Sequence, residues 1–431
     1  MVGWLFLTGS LVGAWFTYNA FFPVYGGPRR SALSFFAGWL TTELALHHIA
    51  WQALLVAGFL VLGALDSWPG QLGLAITLVS WAGLAVCYVR ARQAEHIVEA
   101  ALLEALGPDY HGKIAPDVQV RMAPEVDWRQ LLVPIPVRHP EVEKFRDIVY
   151  SRVAGINLKL DVYRRRDAVR DCPTLLQIHG GAWILGSKNE QGLPLMMQMA
   201  SRGWVCVSVD YRLSPHATFP DHLIDLKRAI QWIHEHGPEY GANPDFVVAT
   251  GGSAGGHLAS LVALTANDPL LQPGFENIDT SVRACVPFYG VYDFTDRHNV
   301  YRHRGLAELL EKRVMKAALH EAQEAYDQAS PMSRVHADAP PFFVIHGDKD
   351  TLVPVAEARN FYSDLRKLSS QPVAYAEIPG AQHAFEIFPS LRTTFVVHGV
   401  ERFLGYVYSR YLEGRAPASD VPVLDAGRLA G

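Results

Sequence analysis

The sequence predicts an α/β chain: a doubly wound, mostly parallel eight-stranded sheet with a helical cap, preceded by about three membrane-crossing helices. Three observations carry that reading. Up to Val89 the only acidic and basic side chains are Arg29, Arg30, Glu43 and Asp66. From Phe145 onward, short apolar runs alternate with helical patterns, as strands covered on both faces do. One such run ends in Gly251-Gly252-Ser253-Ala254-Gly255, a small-residue turn between a strand and a helix pattern. The 431 residues carry 38 Lys and Arg against 43 Asp and Glu, a net charge of -5, which offers no basic field for nucleic acid.

The charge-poor segment, residues 1–92, reads as a membrane anchor. Its apolar runs 3–22, 44–65 and 71–89 would each extend about 28 to 33 Å as helices, matching a hydrocarbon core of about 30 Å. Trp4, Trp15, Tyr18, Tyr25, Trp39, Trp68 and Tyr88 fall near the run ends, where interfacial aromatics belong. The start Met-Val-Gly-Trp-Leu lacks the basic region of a cleaved signal, so the first run is expected to be retained. With three spans, Arg29 and Arg30 share a side with Arg90 and Arg92. The positive-inside rule makes that side cytoplasmic, predicting a multi-pass protein with its N-terminus outside and its soluble bulk inside. His47, His48 and Gln52 lie in the second run. No partner ligands recur in the other runs, so interhelical polar contacts are expected rather than a metal site. Cys87, Cys172, Cys206 and Cys285 form no CxxC pair and are expected as packed free thiols.

Residues 93–140 combine a helical pattern, Arg90 to Leu106, with a proline-rich stretch containing Pro108, Pro116, Pro124, Pro134, Pro136 and Pro140. The helix is expected either along the membrane surface or against the soluble domain, and the stretch as a linker, a lid or an interfacial foot. The domain proper spans 141–412. Strands are expected at 145–151, 158–163, 174–179, 205–211, 246–250, 284–288, 342–346 and 373–378, with helices at 219–236, 254–266 and 355–368. An insertion at 294–330, helical over 306–328, falls between two strands and forms the cap. Its Arg297, His298, Arg302, His303, Arg304, Lys312, Arg313 and Lys316 read better as a solvated face balanced by Glu308, Glu311, Glu321 and Glu324 than as a lipid-headgroup site. Residues 413–431 read as a flexible tail.

The chemistry starts at Ser253. A serine on a strand-to-helix turn is forced into a conformation that exposes its hydroxyl at the sheet edge. A serine hydroxyl is a weak nucleophile and needs a base, which needs an orienting acid. Asp348 and Asp350 both follow the strand 342–346, and His383 follows the last strand. The chain order serine, acid, histidine is the one this fold requires. Backbone amides that stabilise an oxyanion are expected after the strand ending at Ile178, in His179-Gly180-Gly181-Ala182-Trp183, joined by the amide of Ala254.

The ordered motifs HGGAW (179–183), DYRLSP (210–215), GGSAGG (251–256), HGDKDTLVP (346–354) and GAQHAF (380–385) resemble the hormone-sensitive-lipase-like branch of α/β-hydrolase esterases over roughly residues 145–410. The resemblance implies that Ser253, Asp350 and His383 form the catalytic triad and that Asp348 is a turn residue. It implies Gly181, Ala182 and Ala254 as oxyanion-hole donors; Ala182 stands where the family more often has glycine. It also implies that Asp210, Tyr211 and Arg212 brace the site, with Asp225 as a helix and loop contact. The expected activity is hydrolysis of a small-molecule or lipid acyl ester through an acyl-enzyme, with no metal and no cofactor. Membrane lipids are the other expected contact, and nucleic acid is not. Deacetylation or acyl transfer by the same triad is the alternative, and a non-catalytic membrane scaffold a further one.

Overall fold

A computed structural model describes residues 1–122, 126–167 and 170–415. Eight strands form one sheet: β1 (Val142–Val153), β2 (Ile156–Arg165), β3 (Cys172–Ile178), β4 (Val205–Val209), β5 (Ala242–Gly252), β6 (Ala284–Phe288), β7 (Phe342–Gly347) and β8 (Val373–Ile378). Their order is β1-β2-β4-β3-β5-β6-β7-β8. β1 and β2 form an antiparallel hairpin, β2 is also antiparallel to β4, and every other pairing is parallel.

Alternation along the strands sorts side chains onto two faces. Val247 and Ala249 of β5, with Phe342 and Val344 of β7, join a core under the helices Asp221–His236, Ala254–Leu264 and Ala356–Leu368. Phe246, Val248, Phe343 and Ile345 enter the opposite core, with the helices Leu193–Ser201 and Leu391–Arg415. The chain winds from β3 out to β4, then back across β3 to β5. That reversal opens a crevice beyond the C-terminal ends of β3 and β5, the place where open α/β sheets bind ligands.

The sequence-based boundaries agree with the strands to within a few residues. The cap is less regular than expected: helix Gly305–Leu309 runs into a π-helical turn, Leu310–Val314, before a separate helix Gln323–Gln328. Its charges pair at the surface, Arg304 with Glu311 and Lys312 with Glu308, as a solvated face does. Pro124 and the tail from residue 416 lie outside the described residues, while 413–415 close the last helix.

The N-terminal region forms helices α1 (Val2–Phe21), α2 (Pro28–Glu43), α3 (Ala45–Val61), α4 (Trp68–Ala91) and α5 (Gln93–Leu106). Helix α2 falls in a stretch with no expected element. By length and composition, among the described residues, one helix, Trp68–Leu106, is long and apolar enough to cross a membrane. The pair α2 and α3, bent by 91°, meets that standard only when taken together. The expectation of three spans therefore narrows on this measure: α3 has 17 residues, and α1 is interrupted by Gly, Ser, Thr and Asn.

α1, α3 and α4 pack as an up-down-up bundle. A Cβ on Gly3 would overlap Ser67 at the start of α4, and at the other end the Arg90 guanidinium lies 5.5 Å over the Phe21 ring. Polar side chains pair inside: Thr77 with Ser10 at 2.9 Å, Thr17 with Ser80 at 2.7 Å, and Trp81 with Gln52 at 2.9 Å. Of the three polar residues in the second run, Gln52 makes the expected interhelical contact, whereas His48 bonds the Trp51 indole within its own helix and His47 meets the Leu132 carbonyl outside the bundle. Leu54, Val61, Leu62 and Val79 remain outward and exposed. Helix α5 buries Ala94, Val98 and Leu102 in the core beneath the helix Leu391–Arg415, so it packs on the α/β domain. All four cysteines are buried, and Cys87, Cys206 and Cys285 are free thiols.

Candidate active site

Four strand ends supply the site. β5 ends at Ser253, whose φ of 59° and ψ of -122° lie in a region costly for a residue with a side chain. Between Gly251 and Thr265 it alone escapes full burial. The turn closes because its glycines press on neighbouring backbone: a Cβ on Gly251 would stand 2.4 Å from the Ile178 oxygen, and one on Gly255 2.2 Å from it. The Ser253 amide is spent on the Phe288 carbonyl at the end of β6.

After β7, Asp350 is buried and its Oδ2 accepts from His383 Nδ1 at 2.6 Å. Its Oδ1 accepts the amides of Leu352 and Val353, and His346 Nε2 lies 3.2 Å from Oδ2. Burial alone would raise its pKa. The adjacent His383 and the hydrogen bonds from His346 and His383 outweigh that and hold the carboxyl well below the usual range. Asp348 instead accepts the Gly380 amide at 2.6 Å, a turn contact. Of the two acids left open by spacing, only Asp350 meets His383.

Gln382, which the GAQHAF motif contains without an assigned role, and Tyr289, outside every motif, tie these loops together. Gln382 Oε1 accepts the amides of both Thr351 and His383, pinning the acid loop to the histidine loop. Tyr289, just past β6, places its ring 4.5 Å from that of His383, while a Cβ on Gly252 would meet its hydroxyl at 2.5 Å. Tyr289 thus fills the space between the Ser253 turn and His383, and its hydroxyl donates to buried Glu386.

After β3, His179 stacks on Tyr211 at 4.4 Å and burial lowers its pKa. The Gly180 amide donates to Gln191 at 2.5 Å. Among the described residues, the amides of Gly181, Ala182 and Ala254 have no partner within the protein. A Cβ on Gly181, at φ 114°, would stand 2.0 Å from the Leu185 oxygen, so only glycine fits. Trp183 donates to His257 Nδ1 at 3.1 Å, and His257 Nε2 then donates to the Ala329 carbonyl at 2.7 Å. Burial pushes His257 down to about 3, so it is neutral and this tautomer joins the Gly-rich loop, the serine helix and the cap. Its place four residues after Ser253 was the available signal. Arg212 forks onto Asp225 at 2.8 and 2.9 Å, a bracing role for both.

The comparisons fit this geometry. The BD-FAE family model matches residues 160–365. The chain is 41% identical to the probable carboxylic ester hydrolase LipM of Mycobacterium tuberculosis, over 97% of this chain and 96% of that one. The chain belongs to this family of carboxylic ester hydrolases. Esterase LipQ of the same organism is 40% identical over 89% of this chain and 87% of its own. Among solved structures, the propionate-bound esterase Est2 of Thermogutta terrifontis aligns with a TM-score of 0.51 at 26% identity, covering 65% of this chain and 97% of that one. A truncated carbohydrate esterase from gut microbiota shares the fold, with a TM-score of 0.51 at 21% identity over 61% and 99%. This protein is therefore an ester-hydrolysing enzyme with the α/β-hydrolase fold.

One buried acid of the esterase titrates near neutrality. Glu357 Oε2 accepts the amides of Tyr292 and Asp293, where the chain leaves β6 for the cap. Burial first, then Asp293 and Asp296, raise it to about 8. The folded state thus keeps a proton that the unfolded chain sheds above its ordinary glutamate pKa. The resulting stabilisation is fully present below about pH 4.5 and is lost as pH rises through 8. Between pH 5 and 8, Tm is expected to fall by roughly 5 °C more in the wild type than in Glu357→Gln. Parallel melting curves across that range check this.

Proposed function

We propose that this esterase acts as a membrane-anchored serine hydrolase on apolar acyl esters that reach it from the bilayer. The observation that carries the reading is the convergence of the strained Ser253 turn and the His383–Asp350 hydrogen bond on the two sides of Tyr289. In this mechanism His383 Nε2 takes the Ser253 Oγ proton as Oγ attacks the acyl carbonyl. The amides of Gly181, Ala182 and Ala254 hold the developing oxyanion. Collapse expels the alcohol, which receives the proton from His383. Water, deprotonated in turn by His383, then releases the acid and restores Ser253. Asp350 keeps the proton on Nδ1 and stabilises the imidazolium.

Residues 1–92 are proposed as the anchor, with α1, α3 and α4 crossing the bilayer, and 141–412 as the catalytic domain with its cap at 294–330. The up-down-up packing supports three crossings, since it sets Arg29, Arg30, Arg90 and Arg92 at the end that meets the catalytic domain. By the positive-inside rule the domain is then cytoplasmic. The test is a hydrolysis profile over p-nitrophenyl esters of increasing chain length, with and without micelles. Rates that rise with chain length and with micelles are expected. A sharp preference for the two-carbon acyl group would overturn the lipid reading and favour a deacetylase.

A further inference from the structure

The N-terminal region reaches the reacting residues through α2. Phe35 is buried and meets the His383 ring edge-on at 6.1 Å. Trp39 stacks on Phe35 at 5.2 Å and donates its indole N–H to the Ala384 carbonyl at 2.8 Å. Ala384 directly follows His383 and holds a left-handed φ of 59°, so this bond grips the loop at a strained point. The Ser31 carbonyl accepts from Thr351 Oγ1 at 3.0 Å, one residue past Asp350. At the far end of α2, Glu43 pairs with Arg392, both buried, and accepts from Ser390 Oγ at 2.7 Å. Arg392 also donates to the Pro379 carbonyl. The histidine loop is therefore held at its start, middle and end by α2 or by side chains paired with it.

We propose that α2 is a positioning element of the active site, with Phe35 and Trp39 fixing the imidazole of His383. The inference rests on His383 being the base. Tyr289 and Phe35 both contact that imidazole. Removing Phe35 frees the ring to turn, which displaces the Nε2 that the proposed mechanism aims at Ser253 Oγ. A displacement of this order, near 1 Å, costs about 100-fold in rate. The anchor thus sets catalytic geometry as well as location.

The test uses the full chain in detergent micelles and a soluble short-chain p-nitrophenyl ester, with Phe35→Ala, Phe35→Leu and Trp39→Phe. Phe35→Ala is expected to lower kcat by about 10- to 100-fold with KM within about threefold, and Phe35→Leu to recover most of the loss. Trp39→Phe keeps an aromatic ring and removes one hydrogen bond; its kcat is expected to fall about tenfold. In each variant a fluorophosphonate is expected to label one serine per chain eventually, but with a rate constant reduced in proportion to kcat. Unchanged kcat in Phe35→Ala and Trp39→Phe, or a loss that only tracks fewer labelled sites, overturns the proposal. If Phe35→Ala does not fold, Trp39→Phe decides alone. No labelling of the wild type would instead sink the serine-hydrolase reading itself.

Discussion

Ser253→Ala is expected to lower kcat for ester hydrolysis by about 10⁶, or about 8 kcal/mol of barrier, and to abolish fluorophosphonate labelling. The fall is this large because the nucleophile and base act as a unit, and His383 has no proton to take once Oγ is gone. The residual rate is set by substrate binding and the oxyanion donors, and should stay above that in water. Folding supplies the control. Alanine keeps the Cβ and therefore the strain at φ 59°, so its stability should match the wild type within about 0.5 kcal/mol. Ser253→Gly relieves that strain and is expected to be more stable by about 1 kcal/mol while equally inactive. Steady-state kinetics and denaturant melts on the three proteins measure both quantities. Appreciable turnover by Ser253→Ala would require a different nucleophile.

Asp350→Asn is expected to cost about 10⁴ in kcat, while Asp348→Asn costs less than about threefold. The difference follows from what each carboxylate accepts. At Asp350 one oxygen takes two backbone amides and the other takes His383 Nδ1. An asparagine that keeps its oxygen toward Leu352 and Val353 must turn its NH₂ toward the imidazole. Nδ1 then has to accept, the proton moves to Nε2, and the histidine can no longer take the Ser253 proton. Asp348 accepts the Gly380 amide, and an asparagine oxygen does the same. Comparable losses from the two variants would refute the assignment of roles; kcat measured for both, with KM, decides it.

The strands and the turn at Ser253 were legible because they are local. Four to six apolar residues bounded by glycine, proline or aspartate make a strand in nearly any setting, and the serine turn adds a helix pattern at once. The choice between Asp348 and Asp350 was open by spacing alone, since both follow β7 and only the position of His383 separates them. Helix α2 was missed for a physical reason. Its Ser, Thr and Gly residues have little helical preference, and its buried face consists mostly of small side chains that a hydrophobic pattern does not register: Ser31, Ser34, Ala37, Gly38, Thr41 and Thr42. Pro28 at its first turn and the spacing of Phe35 and Trp39 were the signals present. The helices Leu193–Ser201 and Leu391–Arg415 were likewise unmarked; the second buries Arg392 and Glu401 in polar contacts that a hydrophobic pattern does not register.

By itself the sequence determined the succession of the eight strands with the helices that follow β4, β5 and β7, the apolar character of the first ninety residues, and the candidacy of one serine, one histidine and a pair of acids. These follow from periodicity, turn chemistry and chain order, which act over a few residues. Only the tertiary structure decided which acid meets His383, that Gln382 and Tyr289 join the acid, base and serine loops, and that α2 grips the histidine loop. Those depend on hydrogen bonds and ring contacts between segments as many as 349 residues apart, as from Glu43 to Arg392. No local pattern encodes such a pairing, because its geometry exists only once the sheet has brought the strand ends to one edge.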